Sequence, residues 1–160
     1  MAGGPIFPFS RFPVLSGSVF PYTYVGAGAN KHEQGLGVAA SIAANSIWRL
    51  RFAMPPTLPT GTGKLRLLAL ANATSGAAKI NAKWASVAAE ESPSAATLSA
   101  EGTGTITWAS GDADQYKELK ITLDAVPLVA SEIIAMDLTF EATGWTLAQI
   151  SVWQSMIIWE

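Results

Sequence analysis

The sequence predicts an all-β protein, a single β-sandwich of the jelly-roll kind carrying an extended N-terminal arm. Three observations lead there. Apolar and polar residues alternate with a period of two through seven or eight segments of the chain, and successive side chains of a strand point to opposite faces. Clusters of Pro, Gly, Asn and Asp separate these segments at roughly regular spacing, as in sandwiches and barrels. No stretch offers a long helix. The expected organisation is an arm over residues 1–36 and a sandwich over residues 37–160.

The arm is expected first. Gly3, Gly4, Pro5, Pro8, Pro13, Gly17, Pro21, Gly26 and Gly28 break any helix or long strand. Six of the fifteen aromatic residues nevertheless fall here: Phe7, Phe9, Phe12, Phe20, Tyr22 and Tyr24. Solvated tails are poor in aromatics. An extended, Pro-rich segment with spaced rings reads as an arm whose rings dock on a neighbouring subunit or partner. The alternative is irregular edge structure on its own domain.

Ala39–Ala44 is small and apolar, a short strand or turn. Ser46–Met54 is the clearest strand, with Trp48, Leu50, Phe52 and Met54 on one face and Ile47, Arg49, Arg51 and Ala53 on the other. Pro55, Pro56, Pro59, Gly61 and Gly63 end it. Lys64–Ala73 follows, with Leu65, Leu67 and Ala69 on one face. Asn72–Gly76 reads as a turn, and Ala78–Ser86 alternates Ile80, Ala82 and Trp84 with Lys79, Asn81 and Lys83, so the two strands are expected as a hairpin. Ala88–Ala100 is a loop or single helical turn. Gly102–Trp108 is a strand with alternating threonines, and Gly111–Asp114 an acidic turn. Gln115–Asp124 and Ile133–Ala142 are strands joined through Pro127. The last strand, Ala148–Glu160, is apolar on both faces, with Ile150, Val152, Gln154, Met156 and Ile158 on one side and Trp153, Ile157 and Trp159 on the other. Such a strand is central in a sheet or buried in an interface.

Composition narrows the function. Hydrophobic residues make up 49% of the 160 and charged residues 14%, well below the usual quarter. Some of the surface is therefore apolar or small and polar, as in subunit contacts. With no cysteine, disulfides and thiolate metal sites are excluded. No run of apolar residues reaches the length of a transmembrane helix, and Pro5, Pro8 and Pro13 interrupt any signal-peptide core. The net charge of −2 hides an asymmetry: residues 1–89 hold eight basic side chains and one acid, residues 90–160 two basic side chains and eleven acids. The preferred reading pairs basic with acidic strands across a sheet surface. The sharper reading is a polar molecule whose ends meet in an oligomer or lattice. Sparse basic residues in an acidic chain argue against nucleic acid.

No catalytic, cofactor or metal constellation emerges. His32 is the only histidine and lies in a polar loop with no nucleophile or orienting acid indicated. One histidine without cysteine makes no zinc site. Asp112 and Asp114 resemble a fragment of a calcium loop, but the glycine and distal glutamate are missing. Glu90–Glu91 and Asp137/Glu141 are carboxylate pairs without a spacing that fixes the separation glycoside hydrolysis needs. GTGTITW and PTGTGK lack phosphate-loop spacing and precede strands. Of the six tryptophans, Trp48 and Trp84 belong to apolar faces. Trp108, beside the Gly111–Asp114 turn, and Trp145, after Gly144, are the candidate exposed rings for a ligand or interface.

The strand WRLRF, the turn PPTLPTGTGKLRL, a hairpin ending in KW and the late strand MDLTFEATG resemble small β-sandwiches of tailed-bacteriophage virion proteins, over about two-thirds of the chain. The ending SVWQSMIIWE is less polar than that pattern. The resemblance implies a structural protein: a capsid decoration, or cement, protein on the virion surface, a trimer that binds the major capsid protein, with no enzymatic activity, cofactor, nucleic acid or membrane. The alternative is a tail or fibre receptor-binding or carbohydrate-binding β-sandwich module that takes glycan.

Overall fold

The computed structural model describes residues 14–16, 19–25, 32–39, 46–71, 76–91, 97–109, 112, 115–141 and 149–160. Its strands are β1 (Val14–Ser16), β2 (Val19–Val25), β3 (His32–Ala39), β4 (Ser46–Ala53), β5 (Gly63–Ala71), β6 (Gly76–Val87), β7 (Ala100–Trp108), β8 (Lys117–Thr122), β9 (Ile133–Glu141) and β10 (Gln149–Trp159). They form two antiparallel five-stranded sheets, ordered β1-β4-β9-β6-β7 and β2-β3-β10-β5-β8. The chain passes from one sheet to the other at nearly every connection, the winding of a jelly roll. The all-β sandwich expected from period-two alternation is the fold.

The inner faces meet in one core. Trp48, Leu50 and Phe52 of β4, Ile80, Ala82 and Trp84 of β6 and Met136, Leu138 and Phe140 of β9 are fully buried, as are Leu65, Leu67 and Ala69 of β5 opposite them. Trp48 and Phe140 pack with ring centroids 4.6 Å apart and tilted by 50°, a favourable aromatic geometry. At one margin the two sheets close against each other through the edge strands β7 and β8. A Cβ at Gly104 would lie 2.5 Å from Leu119 Cδ1, and one at Gly102 2.6 Å from Ile121 Cγ2. The glycines of GTGTITW are thus there for close packing.

Three expectations are corrected. First, β5 and β6 are not a hairpin: they belong to opposite sheets. Leu65 and Leu67 lie in one sheet and Ile80 and Trp84 in the other, all within the shared core; a strand's periodicity shows which face is apolar, not which strand lies beside it. Second, the segment expected as an arm contributes strands. β2 pairs with β3 from Val19↔Val38 to Val25↔His32, β3 pairs with β10, and Val14 of β1 pairs with Trp48. The boundary expected at 36/37 therefore falls inside β3. Pro21 disguised β2; it is tolerated because β2 is an edge strand. Third, the faces of β10 exchange at an irregularity between Val152 and Gln154. Val152 stays with the core, Met156 and Ile158 lie opposite Arg66 and Lys64, and Ile157 and Trp159 lie opposite Leu65 and Gly63. An extra residue in one strand reverses the alternation beyond it. Of the two places expected for this strand, central in a sheet or buried in an interface, it holds the first, between β3 and β5.

The charge asymmetry resolves into pairing between strands. Basic β4 and β6 flank acidic β9, and a row of alternating sign, Arg49–Asp137–Lys83–Glu101, crosses β4, β9, β6 and β7 in register. Arg49 holds Asp137 with two bonds of 2.7 and 2.8 Å, and this hydrogen bond raises the affinity of its guanidinium for the proton. Lys83 lies 3.7 Å from Glu101. On the other sheet Arg66 pairs with Glu118, and Lys64 and Lys120 both reach Glu160.

Candidate ligand-binding site

One end of the sandwich carries an open pocket of about 200 Å3. Three distant segments build it: the β4–β5 connection, the β8–β9 connection and the end of β10. Pro55, Pro56 and Pro59 stop β4 and remove backbone donors, so the first connection cannot extend the sheet. It is tied to the second by two backbone bonds, Met54 N–H to the Glu132 carbonyl at 2.8 Å and Ser131 N–H to the Pro55 carbonyl at 3.0 Å. Its far end is tied to β10 by reciprocal bonds between Thr62 and Glu160 at 2.9 and 3.3 Å. Gly61 makes that junction possible. Its φ of +111° is one that a side chain rarely adopts, and a Cβ there would stand 2.9 Å from the Glu160 oxygen. Leu123 N–H donates to the Gly63 carbonyl at 2.9 Å, which fixes where the second connection leaves β8.

The walls are Leu58, Pro59 and Leu128, with Trp159 half-buried against the core; Thr62 and Asp124 add polar groups. Electrostatically the rim divides. Glu160 accepts from Lys120 and from Lys64, the latter at 3.0 Å, and these bonds hold its carboxyl below the ordinary glutamate range. The same contact raises Lys120. Asp124 is exposed, and no described side chain bonds to its carboxylate. A carboxylate without a partner keeps both oxygens for a ligand's hydroxyl or amine donors. A general acid at neutral pH needs a raised carboxyl, and Glu160 moves the other way. The pocket therefore offers an aromatic ring, apolar walls and a hydrogen-bond acceptor: the means to hold a small ligand, apolar on one side and hydroxylated on another.

The residues singled out from sequence lie elsewhere. Trp108 is 1% exposed and belongs to the core, so its ring is not offered to a ligand in this chain; β7 turns it inward with Ile106. Trp145, Phe7, Phe9, Phe12 and Asp114 lie outside the described residues. Phe20, Tyr22 and Tyr24 occupy edge strand β2, opposite Gly37, Gly35 and Glu33. His32 begins β3. Asp112 accepts from the Ala109 N–H and from Lys117, each at 2.8 Å, and these donors lower its carboxyl pKa. Glu91 accepts from the Ala88 N–H at 3.1 Å. Asp137 is committed to Arg49. Sequence reading missed Trp159 and Asp124. The available signal was a tryptophan and an aspartate each ending a strand, with a Pro- and Gly-rich connection to meet them.

No protein-family model matches the chain, and no curated protein sequence matches it. Solved structures do match in shape. A family 11 carbohydrate-binding module from Clostridium thermocellum, in complex with a β-1,3-1,4-mixed-linked tetrasaccharide, superposes with a TM-score of 0.51 at 11% identity, over 98% of this chain and 97% of that one. The family 11 module of the cellulosomal cellulase Lic26A-Cel5E of the same organism gives 0.51 at 12% identity, over 100% and 97%. An arabinose-bound MgGH51 α-L-arabinofuranosidase gives 0.52 at 11% identity, over 98% of this chain but 24% of that one. This likeness is one of fold. It supports the sandwich, and none of the three is a virion protein.

Proposed function

We propose that this protein is a carbohydrate-binding module without catalytic activity of its own, and that the pocket between Trp159 and Asp124 is its sugar site. A fold hosts many functions, so the argument rests on the site. A pyranose ring has an apolar C–H face and a rim of hydroxyls. The apolar walls and Trp159 suit the first, the Asp124 carboxylate and the Thr62 hydroxyl the second. The observation that carries the reading is the juxtaposition, in one pocket of a sandwich built like the modules above, of a half-buried indole with a carboxylate that has no partner among the described residues. Glu101, Asp112, Glu118, Asp137 and Glu160 are engaged with lysine or arginine, which favours binding over acid–base chemistry as the work of this end.

The test is isothermal titration against soluble gluco-, galacto-, xylo- and arabino-oligosaccharides and their polymers. Saturable binding to at least one series is expected, weakened about tenfold or more by Asp124→Ala, which removes a charged acceptor worth about 1.5–3 kcal/mol. Absence of saturable binding across all four series would overturn the reading.

A further inference from the structure

We infer that the pocket sorts sugars by charge: it takes an amino sugar with a free ammonium in preference to a neutral sugar, and turns away uronic acids. This rests on the carbohydrate reading above and names the class of sugar within it. The first ground is the lining. Among the described residues that line the pocket, Asp124 alone carries a charge. The side-chain donors there, the Thr62 hydroxyl and the Trp159 indole N–H, are neutral. The second ground is the walls. The β4–β5 connection, residues 54–62, has no charged side chain, and the β8–β9 connection, residues 123–132, has Asp124 and Glu132 and no base. The third is the disposition of the lysines. Lys64 of β5 and Lys120 of β8 both bond to Glu160, and neither lines the pocket. These cations are matched to an acid of their own rather than to Asp124.

An ammonium and a carboxylate suit each other in this setting. The ammonium has three donors and no acceptor, the carboxylate acceptors and no donor. A hydrogen bond between charged groups is roughly twice as strong as one between neutral groups. A neutral sugar offers Asp124 hydroxyls only. A uronic acid brings a second carboxylate, whose charge meets no cation in the described lining, so like charges share the site. Asp124 is exposed and the pocket is open. Water and salt therefore screen the charge, and the selection is several-fold rather than all or none. N-acetylation of the amino sugar removes its charge and keeps its ring, which separates charge from ring shape.

The experiment is a titration of the intact protein at about 10 mM salt and again at about 1 M, where exposed charges are screened within a few ångströms. The ligands are gluco- and galacto-configured oligosaccharides in four versions: free amine, N-acetylated amine, neutral hydroxyl and uronic acid. At low salt the free amine is expected to bind about three- to tenfold more tightly than its N-acetylated and neutral counterparts. The uronic acid is expected to bind about threefold or more weakly than the neutral sugar. Both differences should shrink to within about twofold at high salt. Asp124→Asn keeps the shape of the side chain and removes its charge, so amine and neutral forms should then bind within about twofold of each other. Asp124→Lys should reverse the order, with the uronic acid bound more tightly than the amine. Lys83→Gln, on the outer face of the other sheet, makes the whole chain more acidic by one charge and should leave the order unchanged. An amine bound no better than its N-acetylated form at low salt, a uronic acid bound as well as the neutral sugar, or a preference that survives Asp124→Asn would overturn the inference while leaving the carbohydrate reading intact. Failure of every ligand to bind would instead remove the underlying reading, and the inference with it.

Discussion

The outer face of the β4-β9-β6-β7 surface and the pocket end of the molecule treat carboxylates in opposite ways. On the sheet, Asp137 lies between Arg49 and Lys83 in register, and Glu101 lies beside Lys83 with a hydrogen bond from Asn81. At the pocket, Asp124 is left without a described partner, two residues beyond the end of β8. The sheet carboxylates serve cohesion. Engaged with fixed partners, they have little capacity left for a ligand. The pocket carboxylate contributes nothing visible to cohesion and retains that capacity. The difference separates residues that hold the fold from residues free to do something else.

Substitutions break this comparison at several depths. The largest effect is expected in the core between the two regions. Trp108→Ala should destabilise the protein by about 3–5 kcal/mol in urea unfolding, as loss of a buried aromatic does, even though its sequence position marked it as a ligand contact. Gly61→Ala comes next. It forces a side chain onto a φ of +111° and against Glu160, so a loss of about 1–3 kcal/mol is expected together with weakened sugar binding, because the pocket wall moves. On the sheet, Arg49→Ala leaves Asp137 half-buried without its bidentate partner. A cost of about 1–3 kcal/mol with unchanged sugar affinity is expected, and a double-mutant cycle with Asp137→Ala should show coupling. Asp124→Ala reverses that pattern, with stability within about 0.5 kcal/mol of the parent and affinity reduced.

The smallest effect is that of pH. Glu101, Asp112 and Glu160 are held below their ordinary values, chiefly by hydrogen bonds from Asn81, Lys117 and Lys120 respectively. Their contribution is present above the ordinary 4.5 of glutamate and 3.8 of aspartate, and is lost as pH falls through the lowered values. Lys120 is raised, so its contribution is full below the ordinary 10.5 of lysine and is lost at higher pH. A thermal midpoint level through neutrality that declines at acid pH below these carboxylate values is expected. The groups are exposed, so the decline should be shallow and reduced by salt.

Much of the body was legible in the sequence because burial on one face writes a period of two. Trp48–Phe52, Leu65–Ala69 and Leu119–Leu123 announced both their strands and their inward faces. Pairing of basic with acidic strands was legible for a related reason, since the two charge types occupy different parts of the chain. What was not legible needed knowledge of neighbours. Alternation in β5 and β6 could not separate a hairpin from two strands in opposite sheets. Pro21 hid an edge strand, and an irregularity in β10 exchanged the faces of Met156 and Ile157. The candidate site was hidden most deeply. Thr62, Asp124 and Trp159 are separated by dozens of residues, and only the crossing of connections between sheets brings them together. PTGTGK, set aside as a phosphate loop, supplies the glycine that lets this happen.

The most direct measurement is the structure of the protein crystallised with an oligosaccharide that it binds. The account expects a sugar ring between Trp159 and Asp124, with the carboxylate accepting from ring hydroxyls. An oligosaccharide lying along the outer face of either sheet, with the Trp159–Asp124 pocket empty, would contradict it.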